Sequence, residues 1–406
     1  MKKRILFVDD DPAFIELYRV LFQFDDPDWE IASATGGTEA LSLMDSEPCD
    51  VLVAKWRMPG MTGLDLFREV TTRHAHTARI VVSEACDQGE VAEGLEGRHQ
   101  FIARPIGIDV LRTTICRVCS IQNAALDAQV ASLLAQDCRV PSLPSLYFAI
   151  LRAMDSPSSS MSDIGKLIAQ DLGMTAQILQ MVNSAYFGIA RRISNPVEAV
   201  QLLGLQRVRS LALSAHVFSS FDEMRMKNFP LAKVWKHCLA AGQIAQEICR
   251  AEKADRATAE DAQLACMLHD VGKVMLASGN SDRYQAAVAL ALERQAPLLE
   301  VEREVFGVSH ADVGAYLFGQ WGLPISVIEA VALHHAPASS ALDCFTPLTA
   351  VHVANCLEHE LGDSGMETAV STVDADYLTR IGLADRLPVW REAIEDLELA
   401  AAAGAC

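Results

Sequence analysis

Six residues that could bind a metal ion are spread over the second half of the sequence. In chain order they are His237, His269, Asp270, His310, His334 and His335. Imidazole nitrogens and carboxylate oxygens hold Mn, Fe or Zn ions and leave a position open for water. Such a centre could hydrolyse a phosphodiester with a water that the metal activates. The alternative is a set of core histidines that hydrogen-bond to one another or to backbone carbonyls.

A second group of charged residues follows the first apolar segment of the chain. Residues 5–8 are all apolar, and they end directly before Asp9 and Asp10. A buried parallel strand has this composition, and it ends at the carboxyl edge of its sheet. Ligands bind at that edge in open α/β sheets, so the two acids are candidates for a binding pocket.

The elements around these acids alternate between strand and helix. Strands are predicted at 5–8, 29–33, 51–54, 79–83 and 100–103, and helices at 13–24, 37–44, 63–72, 88–96 and 107–120. Five such units predict an α/β doubly wound domain with a five-stranded parallel sheet.

Residues 1 to about 120 resemble the receiver domain of two-component response regulators. The resemblance rests on Asp9-Asp10, the run Met58–Gly63, Ser83 and Arg104-Pro105. It implies that the paired acids hold Mg²⁺ and that the position four residues before the Met-Pro proline accepts phosphate as an aspartate. This sequence has Lys55 at that position.

Lys55 changes the chemistry that the receiver resemblance implies. An ammonium group cannot form an acyl phosphate, and it would compete with Mg²⁺ for Asp9 and Asp10. We therefore predict a degenerate receiver in which Lys55 pairs with one of these acids and locks one conformation. Arg104 replaces the family lysine and Ser83 keeps its hydroxyl, so part of an anion pocket is retained. The alternative is a relaxed pocket with no regulatory role.

The rest of the chain has no strand-like alternation. Residues 121–138 form a predicted helical linker or dimer seam, and Pro141 and Pro144 mark the start of the next domain. Residues 139–340 predict an all-α helical bundle, and residues 341–406 predict a C-terminal helical extension.

The helical bundle resembles the HDOD module, the HD-related output domain of bacterial signalling proteins. The motifs that carry the resemblance are Val140–Pro144, Ile168–Leu172, Val182–Gly188, Ile193–Val200 and Leu202–Leu205. The resemblance implies an all-helical, non-enzymatic relative of the HD phosphohydrolases that serves as a signalling output.

The order of the histidines is similar to that of the HD superfamily and of its cyclic-di-GMP phosphodiesterase branch, HD-GYP. That similarity implies a divalent transition metal centre, with Lys273 in contact with phosphate. Three departures oppose it: no Gly-Tyr-Pro follows His335, Asn355 replaces the closing aspartate, and Lys233 stands where some members have an acidic ligand. We therefore favour a non-catalytic domain, assign no catalytic residues, leave a divalent transition metal in this domain open, and keep a metal-dependent phosphohydrolase as the alternative.

Composition limits the partners. The formal net charge of −19 opposes nucleic acid as the main partner, because phosphate binding needs clustered Lys and Arg. A helix-turn-helix over residues 168–183 is a weaker alternative, because residues 175–183 contain no Lys or Arg.

The predicted location is cytoplasmic. The chain shows no apolar targeting segment or membrane span, and its eleven cysteines are typical of free thiols in a reducing compartment. We predict a non-catalytic signalling protein that contacts a kinase, a cyclic-dinucleotide enzyme or another regulator. The receiver would contact its partners through Phe101 and the helix from Gly107. The sequence leaves a homodimer open.

Overall fold

The structure is a computed structural model. It describes residues 2–23, 29–74, 76–84, 99–121, 124–137, 149–150, 153, 160–169, 174–175, 178–179, 182, 193–219, 221, 226, 229–361 and 372–404. The chain divides into two compact units. One comprises Met1–Ala125, Tyr316–Ile325 and Ser340–Leu342, and the other comprises Leu126–Ala315, Ser326–Ser339 and Asp343–Cys406.

A parallel sheet forms the core of the N-terminal region. Its strands are β1 (Lys3–Val8), β2 (Trp29–Ala34), β3 (Val51–Lys55), β4 (Ala78–Glu84) and β5 (Gln100–Arg104). They lie in the order β2-β1-β3-β4-β5, and every neighbouring pair is parallel. The prediction of a five-stranded parallel sheet is therefore confirmed.

Burial explains why these segments form strands. Residues 5–8 of β1 and 51–54 of β3 are at most 2% exposed. Interior strands of a parallel sheet are covered on both faces, so they read as continuous apolar runs. The edge strand β2 is only half-buried along most of its length, and its sequence is correspondingly more polar.

Helices connect the strands. They are α1 (Pro12–Gln23), α2 (Gly37–Ser46), α3 (Gly63–Arg73) and α4 (Ile108–Ile121). The start of α3 passes close to the end of β3, because a Cβ at Gly63 would lie 2.6 Å from the carbonyl oxygens of Lys55 and Trp56. Only glycine permits this approach. The helix predicted at 88–96 lies outside the described residues.

The described chain after Arg104 is helical, with no strand among its described residues. The helices are α5 (Ala124–Asp137), α6 (Met161–Ile168), α7 (Pro196–Leu203), α8 (Leu205–Ser219), α9 (Leu231–Ala251), α10 (Arg256–Leu268), α11 (Val271–Gly279), α12 (Ser281–Arg294), α13 (Leu298–Phe306), α14 (His310–Gln320), α15 (Ile325–Leu333), α16 (Pro347–Leu361), α17 (Ala375–Arg380) and α18 (Leu387–Gly404). Short 3₁₀ turns occupy Pro337–Ser339 and Ala384–Arg386. The all-α prediction for the second region is confirmed.

Helix α9 carries the first of the candidate ligands. Its buried positions include Val234, His237, Ala241 and Ala245, which recur every three or four residues. This face packs against α10 and α16. His237 is therefore directed into the helical core.

The predicted linker helix is present as α5, and two of its apolar positions, Val130 and Leu134, are buried within this single chain. The motif at 140–144 lies outside the described residues, as do most of residues 168–188, which include the helix-turn-helix candidate. Among the residues that the structure describes, no helix combines the length and the apolar character needed to cross a membrane.

Candidate functional site

Helix ends place the histidine and aspartate side chains in the second unit. His269 follows α10 directly, Asp270 caps the start of α11, and His310 begins α14. His334 and His335 follow α15. All but His335 are at most 5% exposed, so the structure brings the predicted residues together in a buried cluster.

A glycine permits the contact between two of these helix ends. A Cβ on Gly272 would lie 1.9 Å from the carbonyl oxygen of His310. Because no side chain fits in that space, Gly272 allows the start of α11 to lie against the start of α14. As a result, Asp270 Oδ1 lies 3.6 Å from His310 Nε2.

Backbone carbonyls fix the tautomers of two histidines. His269 Nδ1 lies 2.6 Å from the carbonyl oxygen of Cys266, and His334 Nδ1 lies 2.7 Å from that of Val331. A carbonyl oxygen only accepts hydrogen bonds, so each Nδ1 carries the proton. Each neutral imidazole therefore presents the lone pair of Nε2 to the cluster.

Carboxylates fix two other histidines in the same way. His310 Nδ1 lies 2.6 Å from Glu302 Oε2, and His237 Nδ1 hydrogen-bonds to Glu358. Glu302 is fully buried, and it also accepts the backbone N–H of His310 at 2.8 Å and the Tyr284 hydroxyl at 3.1 Å. Histidines that bind metals are commonly oriented by such carboxylate partners.

The Nε2 atoms converge on Asp270. Asp270 Oδ1 lies 3.5 Å from His269 Nε2, and Asp270 Oδ2 lies 3.8 Å from His237 Nε2. The two imidazole nitrogens, His237 Nε2 and His269 Nε2, are 3.1 Å apart. His310 Nε2 and His335 Nε2 are also 3.1 Å apart. Two lone pairs at this distance repel unless a proton or a metal ion lies between them.

These atoms fit a divalent transition metal. Imidazole nitrogens bind Zn²⁺ at about 2.0–2.1 Å, so neighbouring ligands on one ion are separated by about 3 Å. The buried atoms Asp270 Oδ1 and His334 Nε2 have no hydrogen-bond partner among the described residues. Buried polar atoms are usually partnered, and a cation would satisfy both. Among the described residues, three close groups of potential ligands occur: His237 with His269 and Asp270, His310 with His334 and His335, and His237 with Glu358 and His359.

The protonation states favour metal binding. Burial lowers the pKa of His269 to about 4, and it holds the pKa of His334 well below its usual value, so both are neutral at pH 7. Burial would raise the pKa of Asp270, but electrostatic interactions with His269 and Lys273 hold it well below its usual range. Neutral imidazole and ionised carboxylate are the forms that bind metals.

His237 can also form a hydrogen bond to His269 without a metal ion between them. Burial lowers its pKa, but the hydrogen bond to Glu358 and the charge of Asp270 outweigh burial and raise it. A proton on His237 Nε2 can therefore be donated to His269 Nε2, in the position that a metal ion would take.

Lys273 is buried at the predicted centre, in contact with Asp270. It is 2% exposed, and its Nζ lies 2.9 Å from Asp270 Oδ2. Its ammonium group neutralises that oxygen and leaves Oδ1 without a hydrogen-bond partner in the described part of the chain.

Sequence reasoning missed Glu302, Glu358 and His359. His359 stacks on His237 with ring centroids 4.5 Å apart. Glu358 follows Asn355 by three residues on α16, a spacing that places both on one helix face. That spacing could have pointed to Glu358 as an acidic group near the site. Glu302 is eight residues and one helix boundary before His310, and no local periodicity links the two.

Two of the three departures noted in the sequence, Asn355 and Lys233, have structural counterparts. Asn355 is 1% exposed, and neither polar atom of its side chain has a hydrogen-bond partner among the residues described. Lys233 is exposed on α9, whereas His237 on the same helix is buried. Glu358 supplies a carboxylate to His237 from a different helix.

The receiver pocket forms a second charged cluster. Asp9, which is 2% exposed, pairs with Arg104, and Lys55 Nζ lies 2.5 Å from Asp10 Oδ1 and 3.6 Å from Asp9 Oδ1. The predicted ion pair of Lys55 is therefore present. Ser83 is buried at the last but one position of β4, on the same edge of the sheet.

The ion pair shifts both pKa values. The hydrogen bond from Lys55 lowers the pKa of Asp10 against the opposing effect of burial. Burial would lower the pKa of Lys55, but the hydrogen bond to Asp10 and the charges of Asp9 and Asp10 raise it. Both residues are therefore charged over the physiological range.

Comparison with known proteins finds two family matches. Residues 5–116 match the family described as response regulator receiver domain, and residues 140–337 match the HDOD domain. Both agree with the resemblances found in the sequence.

Two relatives each match part of the chain. An uncharacterized protein of Treponema pallidum is 30% identical over 229 residues, which cover 55% of this chain and 43% of that protein. The chemotaxis protein CheY of Pseudomonas aeruginosa is 31% identical over 118 residues, which cover 28% of this chain and 94% of CheY. The chain thus spans less than half the length of the Treponema protein.

One solved structure shares the helical fold. It is an HDOD domain protein of unknown function from Geobacter sulfurreducens, with 21% identity and a TM-score of 0.56, and the match covers 69% of this chain and 97% of that one.

Proposed function

Because the chain carries a response regulator receiver domain and an HDOD domain, we propose that it transmits signals without aspartyl phosphorylation and acts through contacts with other proteins. The observation that carries this proposal is the ion pair of Lys55 with Asp10. An ammonium group occupies the position of the phosphate acceptor, and it binds the carboxylates that would otherwise hold Mg²⁺.

Arg104 supports the same proposal. Its guanidinium group pairs with Asp9 and lies 4.3 Å from the centroid of the Phe14 ring. With Arg104 on Asp9 and Lys55 on Asp10, two internal cations balance the two acids. Such a pocket needs neither Mg²⁺ nor phosphate to hold one conformation.

Receiver domains interact with kinases and other signalling proteins. We place the partner contact of this receiver on Phe101 and α4, where Val110 is 57% exposed. A kinase, a cyclic-dinucleotide enzyme or another regulator fits this proposal, as does a second copy of the chain. Nucleic acid fits poorly with a net charge of −19.

A phosphodonor assay tests the first part of the proposal. The full chain is incubated with acetyl phosphate and Mg²⁺, and an acid-stable, hydroxylamine-labile adduct is sought by intact mass. We expect none on residues 1–120. An adduct there would show that the receiver is a phosphorylated switch, and the proposal would be wrong.

A second function, metal-dependent phosphohydrolysis, is favoured by one observation. Four histidines have their Nδ1 atoms bonded to carbonyl or carboxylate oxygens, and His237, His269 and His310 direct Nε2 to Asp270. A divalent metal ion held here would activate water and stabilise charge on a phosphoryl oxygen. Glu302 and Glu358 would orient His310 and His237, and Lys273 would hold Asp270 in its ionised form.

Metal analysis and an activity assay separate the two functions. The purified chain and His269→Ala are compared for bound Mn, Fe and Zn and for hydrolysis of cyclic-di-GMP. Metal without hydrolysis supports a signalling module with a structural metal ion. Metal together with hydrolysis, both lost in His269→Ala, supports the enzyme. If neither chain holds metal, the phosphohydrolase alternative fails.

A further inference from the structure

A cavity of about 270 Å³ lies in the helical unit, away from the histidine cluster. Gln246 of α9 and Gln263 of α10 line it. Gln246 lies nine residues after His237, and Gln263 lies six residues before His269. At 1.5 Å per residue these separations are about 14 Å and about 9 Å. The cavity is therefore a separate feature, and a ligand in it would bind independently of any metal ion at the cluster.

The polar lining gives the first sign that this cavity takes a ligand. Gln263 is one of the lining residues and is 7% exposed. An amide in the wall of a cavity hydrogen-bonds to water or to a ligand that replaces the water.

The charges of the lining give the second sign. Arg256 and Glu260 neutralise each other through a 2.6 Å ion pair. Arg207 is exposed, lines the cavity, and has no ion pair among the described residues. The cavity therefore presents one uncompensated guanidinium group, which favours an anion.

The side-chain amides of Gln246 and Gln263 indicate which chemical groups the anion carries. Gln246 donates its Nε2 to the carbonyl oxygen of Ala259 at 2.9 Å, which fixes the amide and leaves Oε1 as an acceptor. Gln263 offers another amide oxygen. An inorganic anion such as sulfate has only acceptor atoms and would leave both oxygens unsatisfied, whereas an organic anion with N–H groups would satisfy them.

We propose that this cavity binds a small organic anion that carries N–H donors. Its carboxylate or phosphate would pair with Arg207, and its N–H groups would donate to Gln246 and Gln263. The volume is slightly below the range of about 300–1,000 Å³ that is usual for drug-sized ligands, so the ligand is small. Amino acids and nucleoside monophosphates share this chemistry.

Titration of the full chain tests the site. Calorimetry is run with glutamate, glutamine, AMP and GMP as probes, and with sulfate as the anion that has no hydrogen-bond donor. The variants are Arg207→Gln, which removes an exposed charge with little effect on folding, and Gln263→Leu, which keeps the size but removes the amide. Arg250→Gln is the matched control, because Arg250 is exposed on α9 and does not line the cavity.

We expect one of the four organic probes to bind saturably, and we expect each cavity variant to weaken it at least tenfold while Arg250→Gln leaves it unchanged. The probe that binds shows whether the ligand is an amino acid or a nucleoside monophosphate. The proposal fails if no organic probe binds at millimolar concentration. It also fails if sulfate binds equally well, or if binding survives both Arg207→Gln and Gln263→Leu.

Discussion

Lys55 Nζ lies 2.5 Å from Asp10 Oδ1, at the carboxyl edge of the receiver sheet. Lysine and aspartate come from different strand ends, since Lys55 ends β3 and Asp10 follows β1. The two strands are neighbours in the sheet, so the pair is set by the strand order. This contact puts a cation of the protein on the acids for which the receiver resemblance implies Mg²⁺.

Removing this cation should free the acids for Mg²⁺. We expect Lys55→Ala to bind Mg²⁺ at least tenfold more tightly than the natural chain, because Asp9 and Asp10 lose a competing ammonium group. Tryptophan fluorescence can follow the titration, since Trp56 is next to Lys55 and buried. The control is Lys3→Ala, which removes a lysine paired with Asp50 outside the pocket. Equal Mg²⁺ affinity in all three chains would contradict this account.

The same pair should make receiver stability depend on pH. The folded pKa of Asp10 lies below its ordinary 3.8, so its contribution is present above that value and is lost as pH falls through the lowered pKa. The folded pKa of Lys55 lies above its ordinary 10.5, so its contribution is present below that value and is lost at higher pH.

We therefore expect Lys55→Ala to destabilise the receiver by about 1 kcal/mol near pH 7, as partly exposed ion pairs do. The difference from the natural chain should shrink below pH 3.8. Urea unfolding at about pH 7, 5 and 3 measures it across the range in which the carboxylate titrates, with Lys3→Ala as the reference. A difference that grows toward acid pH would exclude this ion pair as the cause.

Glu302 should act through His310 on the metal ion of the proposed phosphohydrolase centre. In Glu302→Gln a neutral amide oxygen replaces the carboxylate that accepts the hydrogen bond of His310 Nδ1, so the imidazole is held less firmly in its orientation. We expect metal affinity to fall about 10- to 100-fold. Competition with a chromogenic chelator measures the affinity. Glu304→Gln is the matched control, since Glu304 lies on the same helix, is exposed and pairs with Arg294.

Unchanged affinity in Glu302→Gln, with normal binding in the control, would mean that the carboxylate only fills space. Circular dichroism on both variants separates loss of metal from loss of fold.

Gly272 should not tolerate a side chain. Gly272→Ala places a methyl group against the backbone of His310, which cannot move without displacing α14. We expect the helical unit to lose about 3 kcal/mol of its free energy of unfolding. Gly242→Ala is the control, because its Cβ would meet the flexible side chain of Met267 first, at 3.3 Å. If thermal unfolding shifted equally in both variants, the close approach at Gly272 would not be essential.

The sequence by itself determined the fold of both regions and part of each site. Apolar runs such as 51–54 predicted the strands, because a strand that is covered on both faces of the sheet has an apolar residue at every position. The receiver motifs located Lys55 beside the acids, because strand ends of a parallel sheet share one edge. The histidines were found as a set by residue type and order.

Only the tertiary structure decided which atoms face one another. Glu358 is 121 residues from His237, and its contact with Nδ1 depends on how α9 and α16 pack. Because His334 and His335 are consecutive, the sequence could not show which of them reaches the cluster. In the structure, both rings lie against His310. Helical periodicity tells which face of a helix is buried, whereas the partner on the next helix is set by the packing of side chains between them.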